Sequence, residues 1–292
     1  MLFTKMHGLG NAYVIFNELD QSSKVSDYGK LSRLISDPNF GIGSDGLILI
    51  QSSTKADFCM RIFNEDGSEG LNCGNGLRCV AKYLYDHKFM AFKSFTLETK
   101  SGVVGVEVET NHMGRVQSVT VDMGKPKLQK GMIPMVGDPL QTAIDEPHSF
   151  LDNDFRLTSV SMGNPHTILY TDNVSAFPLE KVGPIIETSS LFPERVNVGI
   201  VQIMNRQELI YRVWERGSGL TMACGTGACA AVVASTLNQL LDRNAPITVH
   251  LPGGDLMIKW DEYGHVWKTG EAAYICHGEW ELDKTDEPPY AC

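Results

Sequence analysis

The sequence predicts an α/β fold, of the α+β kind, made of two pseudo-symmetric halves. Each half is a curled, mostly antiparallel sheet wrapped around one strongly apolar helix. Three observations predict this. A cysteine turn occurs twice, as Cys73-Gly74-Asn75-Gly76 and as Cys224-Gly225-Thr226-Gly227, at an offset of 151 residues. Each turn opens a run with helical apolar spacing. The strand candidates around the two turns follow one order: Trp214 matches Phe63 and Gly253 matches Gly102 at that offset, while Asn164 matches Asn11 and Asn197 matches Ser44 at 153. With 292 residues, each half has enough chain to bury its own core.

The elements follow in order. His7-Gly8-Leu9-Gly10-Asn11 is a turn, and Ala12 to Phe16, rich in β-branched and aromatic residues, is a strand. Tyr28, Leu31, Leu34 and Ile35 fall at helical spacing within Ser26 to Ile35. Gly41-Ile42-Gly43-Ser44-Asp45-Gly46 has the spacing of a dinucleotide fingerprint, but the strand-like Leu47 to Ile50 follows it. A dinucleotide site needs a helix there, because the helix N-terminus holds the pyrophosphate. Met60 to Asn64 is a strand ending in a polar turn, and Leu77, Val80, Ala81 and Leu84 form the buried face of a helix. Phe95 to Glu98, Val103 to Val108 and Val116 to Val121 are short strands, and Met123-Gly124-Lys125-Pro126 begins a polar crossing between halves.

The second half starts over. Thr167 to Tyr170, Ile200 to Met204 and Ile210 to Glu215 are strands, and Ala230 to Leu241 is a helix apolar almost all round, as expected of one enclosed by sheet. Pro246 to His250, Leu256 to Trp260 and Val266 to Lys268 supply further strands, and the polar end from Glu281 to Cys292 is expected to fray.

Composition excludes several classes. Acidic residues outnumber basic ones 35 to 25, for a net charge of −10, and no basic stripe tracks phosphates, so no nucleic-acid partner is expected. Neither a signal segment nor a membrane-spanning run is evident, which predicts a cytoplasmic protein with no membrane partner. The seven cysteines are odd in number and sparse, against a disulfide framework. Without a CxxC pair there is no metal centre to expect, and Asn173-Val174-Ser175 matches a glycosylation sequon that a cytosolic chain would not present. Cys59 and Cys276 read as small buried hydrophobes, and Cys79 and Cys229 as helix packing.

Cys73 and Cys224 read differently. At the first turn of a helix, unpaired N–H groups and the positive end of the dipole should lower the thiol pKa and offer a thiolate near neutrality. The N–H groups of Gly74, Asn75, Gly225 and Thr226 would receive a carboxylate, and the glycines let it approach. A duplicated pair would set the two turns face to face across an interdomain cleft. One thiolate would then remove an α-proton while the other thiol delivers a proton to the opposite face. Oxidation would join the two sulfurs reversibly. His166 and several asparagines leave cysteine-protease chemistry to consider, but neither local nucleophile signature fits.

At these residues the sequence resembles the diaminopimelate epimerase family. The motifs run nearly end to end: Lys5 to Asn11, Phe63-Asn64 with Asp66-Gly67-Ser68, the Cys73 turn, Ser161 to His166, Glu194 to Asn197, Glu215-Arg216-Gly217, Ala223-Cys224-Gly225 and Leu251 to Gly254. The resemblance implies an antiparallel β-barrel-like sheet around a central helix in each domain. It implies domains over 1–124 and 125–269, with the segment from about 270 to 292 returning to the first. It further implies a cofactor-free, pyridoxal-phosphate-independent homodimer in lysine and peptidoglycan-precursor synthesis. Cys73 and Cys224 would be the bases interconverting LL- and meso-2,6-diaminopimelate. The substrate contacts would be Asn11, Asn64, Asn75, Asn164, Asn197, Glu215 and Arg216, with the backbone of Gly74, Asn75, Gly225 and Thr226 at the reacting carboxylate and His166 as a possible auxiliary. Arg216 suits the distal carboxylate as a bidentate donor, and Glu215 with Asn64 suits the distal ammonium.

Two positions depart from the family pattern: Ala12 stands where aspartate is frequent, and Gly46 where some members carry glutamine. Two alternatives compete with this reading, a racemase of the same fold for another amino acid such as histidine, and an amino-acid binding protein. The Asn64, Asn197, Glu215 and Arg216 set, matched to a second zwitterionic head, argues against the first, and isotope exchange at the α-carbon separates the second.

Overall fold

The computed structural model describes residues 1–20, 25–70, 74–151 and 153–281. Its chain divides into two compact units, Met1–Val121 with Gly270–Cys292, and Asp122–Thr269. Cys73, Cys292 and nearly all of the tail expected to fray lie outside the described residues.

The first unit begins with β1 (Leu2–Gly8) and β2 (Asn11–Asn17), an antiparallel pair. Helix α1 (Tyr28–Ser36) starts at Asp27, whose carboxylate accepts the Lys30 N–H at 2.9 Å. It carries the chain to β3 (Gly46–Gln51), parallel to β2, and β4 (Phe58–Asn64) returns antiparallel to β3. Helix α2 (Gly74–Asp86) then leads to β5 (Ser94–Thr99), parallel to β4, and to the antiparallel meander of β6 (Gly102–Thr110) and β7 (Val116–Asp122). Leu31 and Ile35 of α1 pack on Val14, Phe16, Leu47, Leu49 and Phe63.

The second unit adds β8 (Ala143–Phe150), β9 (Asn153–Ser161) and β10 (Pro165–Tyr170) as an antiparallel run. Helix α3 (Leu179–Glu187) crosses to β11 (Asn197–Asn205), parallel to β10, and β12 (Glu208–Glu215) returns antiparallel. After the short β13 (Gly219–Leu220), helix α4 (Gly225–Leu237) crosses to β14 (Ile247–Leu251), parallel to β12. The meander of β15 (Gly254–Trp260) and β16 (Val266–Gly270) ends the unit. A last strand, β17 (Ala273–Glu279), pairs antiparallel with β1, as β8 pairs with β9.

The two units thus repeat one topology, and the α/β class is as expected. The sheets are more mixed than the word antiparallel conveys. Each of the parallel pairs β2–β3, β4–β5, β10–β11 and β12–β14 is joined through a helix, α1, α2, α3 and α4 in turn, because a parallel connection needs a long crossover.

Among the described residues each unit has a second α-helix besides the enclosed one, and α1 is the helix expected over Ser26 to Ile35. Helix α3 was not expected, because Gly183 and Pro184 interrupt its pattern. Gly183 serves a close approach: a Cβ there would stand 2.6 Å from the Trp214 ring. Strands β8 and β9 fall partly in the stretch read as polar crossing. Most of β8 is exposed or half-exposed, so its sequence lacks the apolar alternation of a covered strand.

Helix α2 buries the expected Leu77, Val80, Ala81 and Leu84, and also Arg78, Lys82 and Asp86 on its other faces. These charges find partners on neighbouring backbone: Lys82 Nζ donates to the Val116 carbonyl, and Asp86 Oδ1 accepts the Val116 N–H at 2.9 Å. Helix α4 is enclosed from Gly227 to Ser235, as its apolar sequence demands, but it starts and stops earlier than expected. The Asn238 amide donates to the Ala234 carbonyl at 2.8 Å and Gln239 takes φ +59°, so Leu240 and Leu241 lie beyond the helix.

Candidate active site

The strand order gathers the candidate residues of each unit at one end of its sheet. In the first unit Asn11 begins β2, Gly46 begins β3 in register with Asn64 at the end of β4, and Gly74 begins α2. In the second, His166 near the start of β10 is in register with Asn197 at the start of β11, Glu215 ends β12, and Cys224 caps α4. Topology alone brings residues far apart in sequence to one edge.

In the first unit the Asn75 amide donates to Asn11 Oδ1 at 3.3 Å, and the Tyr13 hydroxyl donates to the same oxygen at 2.6 Å. Arg78, one helical turn after Asn75, donates through Nη1 to Asn75 Oδ1 at 3.0 Å and through Nε to the Glu271 carbonyl at 3.0 Å. This buried arginine fixes the orientation of Asn75. Gly8 makes room for it, since a Cβ there would meet Arg78 Nη2 at 2.8 Å. Asn64 is exposed, its amide donating to Ser68 Oγ at 3.0 Å and its carbonyl accepting from Ser32 Oγ at 2.8 Å.

The two departures also have a structural setting. The Ala12 N–H donates to Asp45 Oδ2 at 2.6 Å, so a carboxylate does reach this position from the next strand's approach. At Gly46, φ is +154° and a Cβ would lie 2.2 Å from the Phe63 carbonyl oxygen, which leaves no room for a side chain on this backbone.

In the second unit Cys224 is buried at the N-cap of α4, and its carbonyl accepts the Ala228 N–H at 2.9 Å. The N–H groups of Gly225 and Thr226 lie in the first turn, where no intrahelical acceptor exists. Cys224 Sγ is 3.5 Å from Thr226 Oγ1 and also faces the Gly227 N–H and the Glu215 carboxylate. Glu215 accepts from the Thr221 hydroxyl, and Arg216 donates through Nη1 to the Glu194 carbonyl at 3.0 Å. These two neighbours therefore turn to different partners instead of forming a surface ion pair.

Asn197 is buried; it accepts the Arg216 N–H at 2.9 Å and donates to the Pro165 carbonyl at 2.7 Å. His166 is fully buried, with Nε2 3.0 Å from Asn164 Oδ1 and 3.2 Å from Thr226 Oγ1. Burial first, and then the Arg216 charge, push its pKa down to about 3, so the imidazole is neutral.

The thiol of Cys224 corrects an expectation. Its pKa is raised and not lowered: burial is the largest cause and the Glu215 carboxylate the next, and they outweigh the Thr226 hydroxyl and the Gly227 N–H. Cys224 therefore rests as a thiol, a proton donor held beside a carboxylate. A further correction concerns Cys276, which is exposed, whereas Cys79 and Cys229 are buried in their helices as expected.

Two residues that the sequence did not single out also bear on the site. Glu187, buried at the end of α3, accepts the Trp214 Nε1–H at 2.7 Å and the Gly217 N–H at 3.0 Å, bracketing Glu215 and Arg216. Arg78 could have been found from its spacing, one turn after Asn75 on the same side of the helix. Among the described residues no cluster of three His, Cys, Asp or Glu side chains could hold a metal, and no helix is long and apolar enough to cross a membrane.

The same fold occurs in a PhzF-family protein and in a probable proline racemase. A Bacillus anthracis phenazine biosynthesis protein of the PhzF family matches with a TM-score of 0.70 at 16% identity, covering 97% of this chain and 99% of that one. A probable proline racemase from Agrobacterium radiobacter K84 matches with a TM-score of 0.70 at 15% identity, covering 97% and 93%. The chain itself belongs to the diaminopimelate epimerase family, whose model matches residues 3–129 and 158–275. It is 51% identical to a diaminopimelate epimerase of Bacillus cereus strain AH187 over 279 residues, 96% of each chain, and 50% identical to that of Bacillus anthracis strain CDC 684 over the same share. It is thus an enzyme of the isomerase class.

Proposed function

We propose that the chain interconverts LL- and meso-2,6-diaminopimelate without a cofactor, with Cys73 and Cys224 as the two acid/base groups. The observation that carries this reading is Cys224 at the N-cap of an enclosed helix, a thiol beside free first-turn N–H groups. Family membership and relatives named as diaminopimelate epimerases support the substrate.

The reaction follows from these groups. One cysteine as thiolate takes the α-proton and becomes a thiol, and the charge spreads onto the substrate carboxylate. The N–H groups of Gly74, Asn75, Gly225 and Thr226 face that carboxylate and stabilise the charge. The thiol of the other cysteine then gives its proton to the opposite face and becomes the thiolate. Neutral His166 holds the Thr226 hydroxyl and Asn164 without adding charge. Asn11, Asn64, Asn164, Asn197, Glu215 and Arg216 grip the remainder of the substrate. The enzyme works as a homodimer in the cytoplasm, in lysine and peptidoglycan-precursor synthesis.

The test is incubation with LL-diaminopimelate in deuterated water, under a reducing agent and without pyridoxal phosphate. α-Deuterium and the meso isomer are expected; their absence sinks the assignment. Cys73→Ser and Cys224→Ser should each abolish epimerisation, and full activity in either removes the two-base mechanism.

A further inference from the structure

Tyr211 stands on β12 beneath the first turn of α4, in a slot between two glycines. A Cβ on Gly199 of β11 would lie 2.6 Å from its ring and 2.9 Å from its hydroxyl, and a Cβ on Gly227 would lie 2.3 Å from the hydroxyl. The phenol fits because neither position carries a side chain. It is fully buried, and its hydroxyl finds no hydrogen-bond partner among the described residues. A buried hydroxyl left unpaired in a native fold requires an explanation.

Its surroundings supply one. The point where a Gly227 Cβ would stand is also 3.2 Å from Cys224 Sγ, so the hydroxyl and the sulfur flank the same spot. A thiol is a weak acceptor, whereas a thiolate is a strong one. We propose that Tyr211 is a positioning residue for Cys224: its O–H is held in reserve beside the thiol and donates to the sulfur once Cys224 gives up its proton. The interaction exists in one protonation state only, so it lowers the cost of forming the thiolate without strengthening the resting thiol.

The groups facing this turn are consistent with that role. Glu215 from β12 opposes ionisation of Cys224, while the Thr226 hydroxyl and the Gly227 N–H favour it. His166 from β10 is neutral, with Arg216 its charged neighbour, and Cys229 on α4 also faces the phenol. Burial and the neighbouring Cys224 and Glu215 push the Tyr211 pKa up, so the phenol remains a donor and does not compete as a base.

The inference rests on Cys224 acting as an acid/base group, and the experiment separates the two. The rate of Cys224 alkylation by iodoacetamide, followed by peptide mass spectrometry across pH, reports its thiolate without turnover. In Tyr211→Phe the midpoint at Cys224 should rise by about one pH unit, about tenfold less thiolate at a fixed pH, with that at Cys73 unchanged. In kinetics the same variant should lose kcat where Cys224 takes the proton, with KM preserved. An unmoved Cys224 midpoint in folded Tyr211→Phe overturns the proposal. Should that variant fail to fold, 3-fluorotyrosine placed at 211 gives a more acidic donor of nearly the same shape. The midpoint should then fall, and an unchanged or higher one overturns the proposal. Retention of epimerisation by Cys224→Ser would instead overturn the acid/base reading.

Discussion

Asn197 holds the backbone of Arg216 from beneath: its Oδ1 accepts the Arg216 N–H at 2.9 Å while its amide donates to the Pro165 carbonyl at 2.7 Å. One buried side chain thus ties the start of β10 to the end of β12 and sets where the Arg216 guanidinium departs. Asn197→Ala removes the donor to the buried Pro165 carbonyl and the acceptor of the part-buried Arg216 N–H, and should destabilise the protein by about 1–3 kcal/mol. Denaturant unfolding measures that loss. Kinetics should show a raised KM, because Arg216 loses its anchor; an unchanged KM would mean that Asn197 only supports the fold.

Glu187 acts on the same turn from the other side. Its two oxygens take the Trp214 ring N–H and the Gly217 N–H, the residues on either side of Glu215-Arg216. Glu187→Ala should cost about 2–3 kcal/mol for two hydrogen bonds to a charged group and raise KM severalfold. Glu187→Gln, which keeps an acceptor oxygen, should recover part of both effects. Equal damage from the two substitutions would assign the loss to volume and not to these bonds.

Gly46 tests the departure from the family pattern. Its hypothetical Cβ is 2.2 Å from a backbone oxygen of the paired strand, and that oxygen cannot yield without moving β4. Gly46→Ala should therefore destabilise the first unit by about 1–3 kcal/mol, measured by thermal unfolding. Asn64, in register with Gly46, should be displaced with it, so substrate affinity should fall as well. Unaltered stability would show that this backbone relaxes easily.

These cases show what was legible in the sequence and what was not. The cysteine turns, the asparagines before strands and the apolar helices repeat visibly, so the fold class and the residues gathered at the sheet ends could be read from pattern. Helix α3 could not, since Gly183 is there to admit the Trp214 ring and Pro184 interrupts the period. The state of Cys224 was misjudged because a helix N-terminus is visible in sequence, whereas complete burial against Glu215 is a property of packing. Tyr211 and Glu187 were missed for a related reason. One looks like an ordinary core aromatic on a strand and the other like a surface charge near a proline, and only tertiary neighbours distinguish them.

His166 predicts how stability responds to acid. Its folded pKa of about 3 lies below the ordinary 6.5, so between those values the unfolded chain binds a proton that the folded chain does not. The contribution is fully present above about pH 6.5 and is lost as pH falls toward 3, where the neutral imidazole buried between Asn164 and Thr226 must charge. The sign is therefore stability that rises with pH across this window, by a few kcal/mol as an order of magnitude. His166→Gln removes the titration while keeping a polar group near both partners. Urea unfolding at a series of pH values should show a shallower acid slope for His166→Gln than for the native chain. Parallel slopes would place the acid sensitivity on other groups.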